Sequence, residues 1–130
     1  HPGNKVGVLL EVNCETDFVA RTPDFEALCH DIAMQIAALN PRWLSRQDVP
    51  AEVVAEQQAQ FIAEVGDKPP AVMERILSGK FDKFYQENCL LEQPFIKDDS
   101  QTVQQLLTEA IAKLGENIIV ARFARFGIGR

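Results

Sequence analysis

Lys5-Val6-Gly7-Val8-Leu9-Leu10-Glu11-Val12-Asn13-Cys14 alternates along its length: Val6, Val8, Leu10, Val12 and Cys14 fall on one side, and Lys5, Gly7, Leu9, Glu11 and Asn13 on the other. A period of two is the mark of a strand with one buried face. A few residues on, Thr22-Pro23 opens a helix. Thr22 suits the cap, Pro23 the first helical position, and Asp24 and Glu26 the positive end of the helix dipole. Phe25, Leu28, Cys29, Ile32, Ile36 and Leu39 recur at helical spacing, while Ala33, Met34, Ala37 and Ala38 make the other side unusually apolar. A helix of that kind is expected to be covered on two sides, and Asn40-Pro41 ends it.

At the far end of the chain, Asn117 to Phe126 is rich in β-formers (Ile118, Ile119, Val120, Phe123, Phe126), with an alternation that slips near Arg122, as a bulge would make it. Between the two strands the pattern is helical. One helix is expected from Pro50 to about Val65, with Val54, Phe61, Ile62 and Val65 on its apolar side. A second begins at Pro69-Pro70 and is interrupted at Gly79, beyond which Phe81, Phe84 and Tyr85 continue a further helical set to Asn88. Arg42-Trp43-Leu44 reads as a short extended piece, and Leu90, Leu91, Pro94 and Phe95 as an apolar connector. A last helix, capped by Asp99 or Ser100, carries Val103, Leu106, Leu107, Ala110, Ile111 and Leu114 and stops at Gly115. The expected fold class is α+β: a small antiparallel sheet of about three strands, its first and last strands paired, with several helices packed against it.

The chain has 130 residues, 46% hydrophobic and 25% charged, the size and balance of one soluble domain spanning 1–130. No apolar run approaches the ~20 residues that cross a bilayer, so no membrane partner is expected. A net charge of −6 argues against a general nucleic-acid binder. Arg122, Arg125 and Arg130 form a local basic run, for which ordinary edge-strand charge is the simpler account. The chain opens with His1-Pro2-Gly3-Asn4 and no initiator Met, and a truncated N-terminus is expected. Three widely spaced cysteines, Cys14, Cys29 and Cys89, fit reduced thiols rather than a disulfide framework.

No phosphate-cradling glycine loop is present. Cys14, Cys29 and His30 supply too few ligands for a zinc site. A nucleophilic pair of Cys14 and His30 is the enzymatic alternative, set against the ordinary fate of cysteine as a small buried hydrophobe. No catalytic, metal or cofactor residue is assigned. The segment that stands out is Asn13-Cys14-Glu15-Thr16-Asp17-Phe18-Val19-Ala20-Arg21, because it joins a strand to a helix, where functional groups are mounted on rigid supports. Thr16-Asp17 can cap a short helical turn that aims Phe18 in one direction. The competing reading is a cap followed by a core phenylalanine, and most phenylalanines are core.

This segment closely resembles the signature of the elongation factor Ts family. Leu90-Leu91-Glu92-Gln93-Pro94-Phe95 with Lys97-Asp98-Asp99, and Ile111-Ala112-Lys113-Leu114-Gly115-Glu116-Asn117-Ile118 with Arg122-Phe123, resemble the family's connector and its final helix and strand, so the likeness runs through the whole chain in order. It implies a guanine-nucleotide exchange factor of translation elongation, not an enzyme, acting in the bacterial cytoplasm or in an organelle matrix or stroma. Its partner would be elongation factor Tu, GDP-bound and nucleotide-free. Thr16, Asp17, Phe18 and Val19 match the motif associated with displacing magnesium, with Phe18 as the inserted wedge, Asp17 as the polar contact and cap beside it, and Thr16 and Val19 holding the turn.

The resemblance also implies a small N-terminal helical docking domain, which these residues lack. It implies a single core copy of the kind that pairs as a homodimer. A non-exchanging module of the same fold, ribosome-associated or fused, is the alternative that needs no exchange activity.

Overall fold

The alternation of the first strand is realised as β1, Val6–Asn13. It pairs antiparallel with β4, Ile119–Gly127, from Val6 opposite Gly127 to Asn13 opposite Ile119. The computed structural model describes residues 5–128, so His1 to Asn4, Gly129 and Arg130 lie outside the described residues. The slip near Arg122 is a bulge: Glu11 faces Arg122 but Val12 faces Val120, which leaves Ala121 as the extra residue. That extra residue restores the phase, so Val120, Phe123, Val8, Leu10 and Val12 all pack toward the core.

Thr22 caps α2, Pro23–Leu39, with its hydroxyl accepting from the Phe25 amide at 3.2 Å. Asn40 ends the helix in the left-handed region at φ 49°. Phe25, Leu28, Ile32 and Ile36 are buried, each worth about 1.5–3 kcal/mol by area removed from water. Leu39, placed by its spacing in the same stripe, is exposed at the last turn. The apolar breadth of α2 has an internal explanation: β1 packs on it and so does α5, Val103–Leu114. Gln35 falls in the buried phase as well. Its amide donates to the Gln93 side chain at 3.3 Å and to the Pro94 carbonyl at 3.0 Å, and its oxygen accepts from the Ile96 amide at 2.9 Å. The buried amides are thus satisfied, as burial requires.

The middle of the chain is a helical hairpin of α3, Ala51–Val65, and α4, Pro70–Asn88. α4 runs through Gly79 without a break, contrary to the interruption the sequence suggested. Glycine costs a helix only about 0.5–1 kcal/mol, and the aromatic packing beyond it offsets that. Phe61 of α3 meets Phe81 edge-on at 5.2 Å, Phe81 lies 5.8 Å from Tyr85, and the Arg46 guanidinium sits 4.5 Å above the Tyr85 ring. Neither helix has a fully buried residue.

Two short strands, β2 (Pro94–Phe95) and β3 (Asp98–Thr102), form a second antiparallel pair. The α+β class holds, with the strands divided between two two-stranded sheets. Because β3 takes up Asp99 and Ser100, neither caps α5. Thr102 does, in a capping box with Gln105. Gly115 ends α5 at φ 74°, a conformation that glycine adopts without penalty. No helix among the described residues is long and apolar enough to cross a membrane.

Candidate functional site

β1 delivers the chain to the segment singled out by sequence. Thr16, in extended conformation, is the cap of α1, Asp17–Ala20, and its hydroxyl accepts from the Val19 amide at 3.2 Å. Asp17 is the first helical residue and not the cap, a correction to the role the sequence assigned it: only Thr16 precedes the turn in the β-region geometry a cap needs. Val19 points inward and joins the core at 5% exposure. Phe18, one residue earlier, is 81% exposed. The core reading of Phe18 is therefore overturned: the turn gives its single inward position to Val19.

The turn is fastened at both ends. On its C-terminal side the Thr22 hydroxyl donates to the Val19 carbonyl at 2.7 Å while capping α2, so one side chain joins α1 to α2. On its N-terminal side Glu116, 100 residues beyond Thr16, accepts from the Glu15 and Thr16 amides at 3.1 Å each and from the Thr16 hydroxyl at 2.6 Å. Glu15 returns the contact, its carboxylate accepting from the Asn117 amide at 2.6 Å. Sequence reasoning quoted Glu116 without giving it a role. No local pattern relates residues a hundred positions apart, and the lone signal was an acid following the helix-ending Gly115.

Of the other candidates, Cys14 touches the cap of this turn, donating its thiol to the Thr16 carbonyl at 3.2 Å. Burial pushes the Cys29 thiol up from its ordinary value, with Cys14 adding to the shift, and pushes Cys89 up to about 11. The raised thiols of Cys29 and Cys89 are the opposite of activated nucleophiles. His30 is exposed, and no group of three or more potential metal ligands occurs among the described residues. Arg122 pairs with Glu11 at 2.9 Å, where the Asn13 amide and then Arg122 hold the Glu11 carboxyl below its usual range. Arg125 donates twice to the Ala37 carbonyl in the last turn of α2, at 3.2 and 3.0 Å. These arginines serve the fold locally.

The family model described as Elongation factor TS matches residues 1–130. The chain belongs to the elongation factor Ts family. It is 56% identical to elongation factor Ts of Moorella thermoacetica, covering 99% of this chain and 64% of that protein. It is 56% identical to elongation factor Ts of an Anaeromyxobacter species, strain Fw109-5, covering 99% and 60%. With elongation factor Ts of Fervidobacterium nodosum the identity is 52%, covering 99% and 66%. The chain thus spans 60–66% of the length of these elongation factor Ts relatives.

Proposed function

We propose that this chain is a guanine-nucleotide exchange module that binds elongation factor Tu, in its GDP-bound and nucleotide-free states, and promotes GDP release. The observation that carries the proposal is the exposure of Phe18 on a turn whose neighbour Val19 is buried. A phenylalanine held outward on a fixed turn is available to a partner, and central aromatic anchors dominate many interfaces. In this reading Phe18 is the wedge, Asp17 the polar contact beside it, and Thr16 and Val19 the support that keeps both in place. Insertion of the turn near the nucleotide site disturbs the magnesium ion that helps hold GDP, the largest local charge in such a site.

The proposed mechanism acts by binding alone and requires no nucleophile, proton transfer or cofactor. Coupling is reciprocal: a protein that favours the GTPase without magnesium and nucleotide weakens GDP by the same free energy with which GDP weakens it. The place of action is wherever bacterial-type translation runs, the cytoplasm or an organelle matrix or stroma.

We also propose that the chain pairs as a homodimer. Leu9, Ile119 and Phe126 are 70%, 54% and 64% exposed and share the face of the β1–β4 ribbon turned away from α2. Such an apolar sheet face is a surface that association would cover.

The test is release of a fluorescent GDP analogue from bacterial elongation factor Tu. Acceleration that grows with added chain is expected. A release rate unchanged at high micromolar concentration would remove the exchange reading.

A further inference from the structure

We infer that Glu116 is a positioning residue for Phe18: its carboxylate, by holding Glu15 and Thr16, fixes the direction in which the Phe18 ring is presented. This deepens the exchange reading and rests on it. A four-residue helix cannot hold its own shape, because helix nucleation costs more than one turn returns. Nor can Phe18 orient itself, since most of its surface faces water. Its direction is inherited from the backbone of the turn.

Burial of Val19, the Thr22 bridge, the Cys14 thiol on the Thr16 carbonyl and Glu116 fix that backbone. Glu116 is the group that takes the Glu15 and Thr16 amides, just ahead of Phe18. A threonine hydroxyl has one hydrogen and two lone pairs. Donation to the Glu116 carboxylate at 2.6 Å commits that hydrogen, which leaves a lone pair for the Val19 amide at 3.2 Å. Glu116 therefore sets the sense of the cap as well as its position, through charge-assisted bonds of the stronger kind. It is placed to do so by Gly115, whose left-handed conformation ends α5, and by the return bond from the Asn117 amide to Glu15. The junction after β1 and the junction before β4 thus close on the turn that carries Phe18.

The experiment compares Glu116→Ala, Glu116→Gln, Phe18→Ala and the Glu116→Ala/Phe18→Ala pair. If the competent orientation of Phe18 falls to about a tenth of the population, apparent affinity falls about tenfold and the saturated rate is kept. For Glu116→Ala we accordingly expect about a tenfold rise in the concentration giving half-maximal GDP release, with the maximal rate retained. Glu116→Gln keeps an oxygen for the two amides and should return most of the loss. In the Phe18→Ala background, Glu116→Ala should add nothing.

Amide hydrogen exchange on the free protein reads the clamp without any partner. Thr16 and Val19 should lose protection in Glu116→Ala and keep it in Phe18→Ala. Unchanged protection of Thr16 and Val19 in Glu116→Ala would overturn the inference, whether or not the parent chain releases GDP. A full tenfold further loss in the Phe18→Ala background would overturn it too, by showing that Glu116 does not act through Phe18.

Discussion

Phe18 and Val19 are neighbours in the chain and opposites in environment, 81% and 5% exposed, because the Thr16 cap turns one side chain out as it turns the other in. The two therefore separate function from stability. Val19→Ala removes buried methyl groups and should cost about 1–3 kcal/mol in denaturant unfolding. Phe18→Ala should stay within about 0.5 kcal/mol of the parent. A Phe18→Ala protein destabilised by several kcal/mol would show that the ring packs on the core.

Gly79 lies inside α4, and a Cβ built there meets nothing within 4 Å. Gly79→Ala should raise stability by about 0.5–1 kcal/mol through the lower entropy of the unfolded chain. A lowered melting temperature would mean that the helix needs the glycine.

Much of this architecture was legible in the sequence because local patterns carried it. The alternation of Val6 to Val12 gave β1, the slip at Arg122 gave the bulge, and Thr22-Pro23 and Asn40 gave both ends of α2. Tertiary context decided the rest. Asp99 and Ser100 are good caps that were claimed by β3, and the signal for Thr102 was the glutamine three residues on. Gln35 sits in the apolar stripe of α2, yet its partner Gln93 lies 58 residues away, so the buried amide pair had no local signature. A still longer separation, 100 residues, hid the link from Glu116 to Thr16, whereas the Thr16 cap was readable from its neighbours. The apolar breadth of α2 called for cover on two sides, and β1 and α5 supply it; the apolar surface left open is on the ribbon.

Cys89 is fully buried, and its thiol is pushed up to about 11. At pH 8 iodoacetamide should leave Cys89 unmodified in the folded protein and label it after denaturation. The unfolded thiol titrates near ~8.5. Its folded-state pKa is raised, so the stability it contributes is complete below about 8.5 and is lost as pH rises toward 11. Rapid native labelling of Cys89 at pH 8 would contradict its burial.

The ribbon face gives the assembly a specific test. The parent chain should sediment at about twice its mass at micromolar concentration. Leu9→Lys, which points into solvent from β1, should sediment as a folded monomer. A monomeric parent would remove the pairing proposal, and a dimeric Leu9→Lys protein would place the contact elsewhere.

The central claim is that an exposed phenylalanine on a fixed turn opens the nucleotide site of elongation factor Tu, and stimulated GDP release by Phe18→Ala tests it most directly. Loss of a central aromatic anchor costs about 2 kcal/mol or more, roughly thirtyfold. The account predicts a fall of that order at sub-saturating concentration, with circular dichroism and melting temperature nearly unchanged. A folded Phe18→Ala protein that releases GDP at the parent rate would contradict it.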